Sequence, residues 1–297
     1  MLQARPYVSH KFALVISLLS LCCCVKYALA TEAGLPVAFY SKMSADWLNS
    51  QPTPNERLSY QALRLLLQDN DNLNPHFVQV SHSRAERLTS QDPSGCLAGV
   101  LDLPQRRQQF SFSLPFTAVQ GIRLYINTDN RFAAVVAQQQ NAAGTVSLSS
   151  LLMQHRTLLI GVDQDRSYGQ ALDTILREPA LQRNILFRQS GAQIGELWRM
   201  LAEGRVDVIL EYPFMQPDLL PAQTVSQQLT EAPAVETAYI ACNNSPHGQA
   251  ILQQINREIQ TKRFLPAYLD IHLAAVAVGQ QQQYLQQYRQ AMQSEDN

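Results

Sequence analysis

From residue 36 onward, short apolar runs alternate with stretches in which apolar residues recur every three to four positions. Pro36–Tyr40 (PVAFY) reads as a strand, and Glu56–Gln68 (ERLSYQALRLLLQ) sets Leu58, Ala62, Leu65 and Leu66 on one helical stripe. Phe77–Val80, a helix around Arg84–Leu88, the strand Cys96–Leu103 and Gly121–Asn127 (GIRLYIN) complete a first series. Strand, helix, strand, helix, strand predicts a mostly parallel sheet covered by helices.

A polar break, Gln138–Gly144 (QQQNAAG), introduces a second series of the same kind. Ser147 is placed to cap SLSSLLMQ, Thr157–Val162 (TLLIGV) reads as a buried strand and Ser167–Arg177 as a helix. The strand Ile185–Arg188, the helix Gly195–Glu203 stopped by Gly204, and the strand Val206–Glu211 follow. A third section holds the strand Val235–Cys242 and a helix from His247 to about Gln260, with Ile251, Leu252, Ile255 and Ile259 on one face. The glutamine-rich tail spaces Tyr284, Leu285, Tyr288 and Met292 as a helix packed on a lobe surface would.

The first thirty residues stand apart. Arg5 and Lys11 form a basic start, Phe12–Val25 an apolar stretch short for a membrane span, and Ala28-Leu29-Ala30 a small-residue cleavage site. This predicts an export signal over 1–30 and a periplasmic location. Cys22, Cys23 and Cys24 follow Leu21 or another cysteine rather than a small residue, which argues against lipid attachment. Removing 1–30 takes three cations (Arg5, Lys11, Lys26) and shifts the formal charge from −1 to −4. No polybasic face remains, so nucleic acid is excluded as the main partner. The remaining length suits one large domain or two lobes. Cys96 and Cys242 are the cysteines left, and a disulfide or two buried thiols fit that count equally. The histidines are scattered without zinc-type spacing, so neither a metal nor a cofactor is expected.

In open α/β sheets ligands gather beyond the carboxyl ends of strands. Three turns have that place here: Leu101–Arg107, Asp163–Ser167 and Glu211–Phe214. Arg106 could clamp an anion with two parallel hydrogen bonds, or Arg106 and Arg107 could simply solvate a loop. The turn DQDRSYG could offer backbone N–H groups to an anion, or Ser167 could be a plain helix cap with Asp163 and Asp165 in solvent. Glu211 could partner a cation, with Tyr212 and Phe214 as an aromatic wall; strand-end packing serves as well.

The segment Ala98–Phe116 (AGVLDLPQRRQQFSFSLPF) resembles, without a gap, the "AGMTIT-x-ER-x-x-x-x-FS-x-PY" signature of extracellular solute-binding proteins of the polar amino-acid class. Four further segments agree in order: LSSLLMQHRTLLIGVDQDRSYG, LWRMLAEGRVDVILEYP, ETAYIACN and GQAILQQINREIQ. The resemblance implies the type II periplasmic binding-protein fold: lobe 1 from 31–127 and 238–297, lobe 2 from 128–237, and crossovers near Asn127–Asn130 and Ala234–Tyr239. It places Cys96 and Cys242 in neighbouring strands, which favours a disulfide. It makes Arg106 the carboxylate-binding arginine, leaves Leu101 a backbone role, and puts Arg166 and Ser167 in the turn that completes the anion site. The family's amino-group aspartate falls on Tyr212, one residue after Glu211, and Tyr40, Trp47 and Phe116 become candidate aromatic walls. The function implied is non-catalytic capture of a small, anionic or amino-acid-like ligand, by a monomer serving an ABC-type inner-membrane permease. A sensor or accessory role on the same fold is the alternative, and an enzyme ranks below both.

Overall fold

The computed structural model describes Met1 and residues 34–52, 56–164, 166–189, 195–216 and 223–293. Apart from Met1, the expected signal segment 1–30, with its three cysteines and its cleavage site, lies outside the described residues, as does Asp165. Among the described residues, no helix is long and apolar enough to cross a membrane.

The chain starts with β1 (Leu35–Ser41), α1 (Leu58–Leu67), β2 (Leu73–Gln79), α2 (His82–Gln91), β3 (Gly95–Val100), β4 (Phe110–Phe112) and β5 (Thr117–Gln120). It continues with β6 (Arg123–Asn127), α3 (Ala133–Gln138), β7 (Thr145–Val146), α4 (Leu148–Gln154), β8 (Ile160–Asp163), α5 (Gln170–Leu176), β9 (Ile185–Arg188), α6 (Glu196–Ala202), β10 (Val208–Glu211) and β11 (Thr224–Leu229). It returns through β12 (Val235–Asn243) to α7 (Pro246–Lys262), α8 (Pro266–Ala274) and α9 (Gln281–Gln293).

Two sheets result. The first has the order β2-β1-β3-β12-β4, with β5 also paired to β12; the second runs β7-β11-β6-β10-β8-β9. Parallel pairs join β2-β1-β3 and β10-β8-β9, and the antiparallel pairs are brought in by β6 and β12. Each sheet has its own core. Phe39, Leu63, Phe77, Ile251 and Ile255 pack in the first, and Leu124, Leu151, Ile160 and Leu210 in the second. β2 tolerates Pro75 because it is an edge strand, where a missing N–H leaves no ladder partner unpaired.

β6, expected to end lobe 1, instead lies inside the second sheet between β11 and β10. Leu124 and Ile126 enter one core and Tyr125 another, so both faces of this strand are buried. An apolar strand of that kind carries no mark of which lobe owns it. The first crossover therefore falls between β5 and β6 rather than near Asn127–Asn130. The two crossovers run side by side there: the Gly121 N–H donates to the Ala234 carbonyl at 3.0 Å. A Cβ at Gly121 would lie 1.8 Å from the Pro233 carbonyl oxygen, so this approach requires glycine.

β12 pairs with β5 over Val235–Ala238, shifts register between Tyr239 and Ile240, and then pairs with β3 and β4. Cys242 faces Cys96 across the β12–β3 ladder and the two are joined in a disulfide spanning 146 residues of sequence. Of the two readings of the cysteine pair, the bridge is the one formed. α9 buries Tyr284, Tyr288 and Met292, and the Tyr284 hydroxyl donates to the Ala118 carbonyl of β5. The tail thus anchors the first crossover.

Candidate functional site

A cavity of about 140 Å³ opens between the lobes. One water needs only about 10–15 Å³ by this measure, so the space suits a small solute. Leu101 and Arg106 of the first lobe reach it, as do Arg166, Ser167 and Tyr212 of the second.

Arg106 sits in the loop after β3. Its Nε and Nη2 donate to Glu86 Oε1 on α2 at 3.1 and 2.6 Å, and its Nη1 donates to the Leu101 carbonyl at 3.1 Å. Leu101 therefore acts through its backbone, by holding the arginine. A guanidinium has five N–H bonds. One on Nη1 and one on Nη2 have no protein acceptor among the described residues. Arg107 pairs with Asp102 in a mostly exposed contact, so only Arg106 of the two faces the cavity.

Arg166 is held differently. Its Nη1 and Nη2 donate to Glu211 Oε2 and Oε1 at 3.1 and 2.8 Å, a fork-to-fork pair. Its guanidinium lies 5.0 Å from the Tyr168 ring centre and 4.9 Å from that of Tyr212. Burial alone would weaken its charge. Glu211 and the two tyrosines more than offset that, and its pKa is raised. Glu211 is thus the partner of Arg166, and it does not line the cavity.

The turn after β8 does not await an anion from outside. Asp173 of α5 receives the Ser167 hydroxyl at 2.6 Å and the Tyr168 N–H at 2.8 Å, and Ser167 Oγ accepts the Gly169 N–H at 3.2 Å. The helix begins after Gly169, with φ of +92°, so Ser167 is not its cap. Asp163 is paired with Arg188 at 2.8 Å rather than solvated.

Three expected walls are elsewhere. Tyr40, on β1 between β2 and β3, donates its hydroxyl to Asp92 at 2.8 Å and does not line the cavity. Trp47 is buried against Tyr60 and Phe77, donates to Glu56 and carries Arg64 over its ring. Phe116 is fully buried in the first core, and its carbonyl accepts the Tyr268 hydroxyl. Trp47 and Phe116 are core residues and Tyr40 is half-buried, each held by a polar or aromatic partner contributed by a distant segment. The aromatic walls of the cavity are Tyr212 and Phe214, stacked with ring centres 5.3 Å apart.

Sequence reasoning missed Glu86, Ser59, His82, Thr117 and Glu236. Glu236 is the most consequential. It lies on β12 just before the register shift and lines the cavity, and its Oε2 accepts the Tyr212 hydroxyl at 3.1 Å. Among the described residues no cation lies within ion-pair distance of it. Burial raises its pKa to about 6, against the opposing pull of Tyr212 and Arg166. The signal available was its position: an acid on the returning crossover strand.

No protein-family model and no curated protein matches the chain. Solved structures do. The probable amino-acid ABC transporter extracellular-binding protein ytmK from Bacillus subtilis is 10% identical, with 83% of this chain and 99% of that chain covered and a TM-score of 0.56. A structure from the glutathione import system of Streptococcus mutans, through GshT and the cystine ABC importer TcyBC, is 10% identical over 80% of this chain and 93% of that one, with a TM-score of 0.58. The ancestral amino acid-binding protein AncCDT-1, described as a precursor of cyclohexadienyl dehydratase, is 13% identical over 82% and 96%, with a TM-score of 0.57. The chain has the type II periplasmic binding-protein fold: two α/β lobes joined by two crossovers. This is the fold implied by the five segments that resemble extracellular solute-binding proteins.

Proposed function

We propose that the chain is a divergent extracellular solute-binding protein of the polar amino-acid class that captures a small amino-acid-like solute in the interlobe cleft. It does so without chemistry, as an exported monomer that delivers its ligand to an ABC-type permease. The carrying observation is Arg106, which lines a cavity between both lobes and keeps one N–H on each terminal nitrogen without a protein acceptor among the described residues. That geometry suits a carboxylate, received by two parallel N–H bonds. The described roles of the structural neighbours as amino-acid-binding and import proteins support the same reading.

The test is a thermal-shift screen of amino acids, dicarboxylates, small peptides and phosphorylated metabolites, followed by calorimetry on any stabiliser. Arg106→Ala is expected to weaken the binder roughly ten- to a hundredfold, the loss of one charge-assisted contact of about 1.5–3 kcal/mol. Unchanged affinity removes Arg106 from the site and, with it, this reading.

A further inference from the structure

Glu236 belongs to the first sheet, yet its carboxylate meets the second lobe. It stands on β12 just past Ala234, whose carbonyl accepts the Gly121 N–H where the two crossovers run side by side. Across that hinge, Tyr212 of the second lobe donates its hydroxyl to Oε2 at 3.1 Å. The Gly169 turn, also of the second lobe, comes close to Oε1: a Cβ there would lie 3.6 Å from it. The acid thus sits between the wall carrying Arg106 and the wall carrying Arg166 and lines the cavity they enclose.

We propose that Glu236 is a proton-operated latch of the hinge: with a proton bound it lets the lobes settle together, and once ionised it favours their separation. The inference goes beyond solute capture and does not depend on which solute the cleft takes. A carboxylate withdrawn from water is costly unless a cation pairs with it. Arg166 does not fill that place, because both of its terminal nitrogens are engaged by Glu211. The Tyr212 hydroxyl is a single neutral donor and offsets only part of the cost. Binding a proton removes the penalty. Parting the lobes removes it as well, because water then reaches the carboxylate. The proton is therefore held more tightly with the lobes together, and by linkage its binding favours that arrangement.

The surroundings of Glu236 agree in sign. On its own sheet it lies opposite Val119 of β5, and the charged or titratable groups lining the cavity from the first lobe are His82 and Arg106. From the second lobe, Tyr212 and Arg166 favour the ionised form and Asp173 opposes it. Burial outweighs the first two and lifts the pKa to about 6, against an ordinary value of 4.5. A difference of that size couples one proton to lobe closure by at most about thirtyfold. Acid then favours retention of a captured solute, and neutral pH its release.

Small-angle X-ray scattering of the ligand-free protein from pH 7.5 to pH 5 tests this. The ratio of closed to open molecules, fitted from the scattering curves, is expected to rise about three- to tenfold over that range. Glu236→Gln, which carries no charge at either pH, should abolish the rise and hold the ratio near the acid value of wild type. Tyr212→Phe removes the donor that favours the ionised form and should move the midpoint to higher pH, and it serves if the Gln variant fails to fold. His82→Gln, which removes the histidine of the cavity, should leave the rise in place. A ratio that does not change with pH, that falls in acid, or that changes equally in Glu236→Gln overturns the inference, and so does a rise lost in His82→Gln. No solute enters the measurement, so its failure is distinct from failure of the capture reading, which the ligand screen tests.

Discussion

The cleft holds two arginines, one from each lobe, and they are built for different tasks. Arg106 leans on Glu86, whose side chain is 35% exposed, through its Nε–Nη2 edge and lines the cavity. Arg166 is locked to Glu211, only 6% exposed, and is covered by the rings of Tyr168 and Tyr212. The same side chain serves as a receptor in one wall and as a structural post in the other. What decides is whether the partner carboxylate uses one edge of the guanidinium or its terminal fork. The scaffolds differ as well: the strand leading to Arg106 is stapled by Cys96–Cys242, whereas the loop of Arg166 is held by side-chain hydrogen bonds to Asp173 and Glu211.

The largest break in that comparison is removal of the staple. Closing a loop of this length restricts the unfolded chain enough to be worth about 4–5 kcal/mol in the chain-entropy view. Cys96→Ala with Cys242→Ala should therefore lower unfolding free energy in urea by that order, and ligand affinity should fall as the Arg106 wall loosens. A loss below about 1 kcal/mol would show that β12 is held by its ladder alone.

Next comes the buried pair. Arg166→Met leaves Glu211 without a counter-ion, and breaking such a pair costs on the order of 3 kcal/mol or more. Replacing both partners with apolar residues of similar volume should recover most of that loss. Arg106→Ala, whose partner can turn to solvent, is expected to stay within about 1 kcal/mol of wild type in the same urea titration. If the two single variants destabilise equally, the division into receptor and post is wrong.

Much of the fold was legible because periodicity is local. The stripe of α1, the apolar face of α7, the Ser147 cap and the buried tyrosines of α9 all followed from spacing within a few turns. β11 (TVSQQL) escaped because a mostly polar strand shows neither period, and α8 (PAYLDIHLA) because its apolar residues form no single stripe. The site was half legible. Arg106 could be read from a gapless motif, but Glu86, which shares it, lies on a polar helix twenty residues away. Tyr40, Trp47 and Phe116 were misplaced because an aromatic near a strand end looks the same whether it lines a cleft or fills a core. Their partners Asp92, Glu56 and Tyr268 make the difference, and nothing in the local sequence announces them.

The smallest expected effect bears on the acid between the two walls. Burial lifts Glu236 from the ordinary carboxylate range to about 6, while burial holds His272, in the first lobe, down to about 4. The groups that bear on Glu236 are Tyr212, Arg166 and Asp173. A raised acid pKa gives stability that is present below about 4.5 and lost as pH climbs through 6. A lowered histidine pKa gives the opposite slope, with stability lost as pH falls from about 6.5 toward 4. The two oppose each other in a wild-type titration, so the informative quantity is the difference between wild type and Glu236→Gln. That difference should fall by about 1 kcal/mol between pH 4.5 and 6.5, discounted from the full shift because the group faces the cleft. A difference that stays flat or rises with pH would mean that Arg166 already satisfies the carboxylate. Glu236 would then belong with the post rather than the receptor.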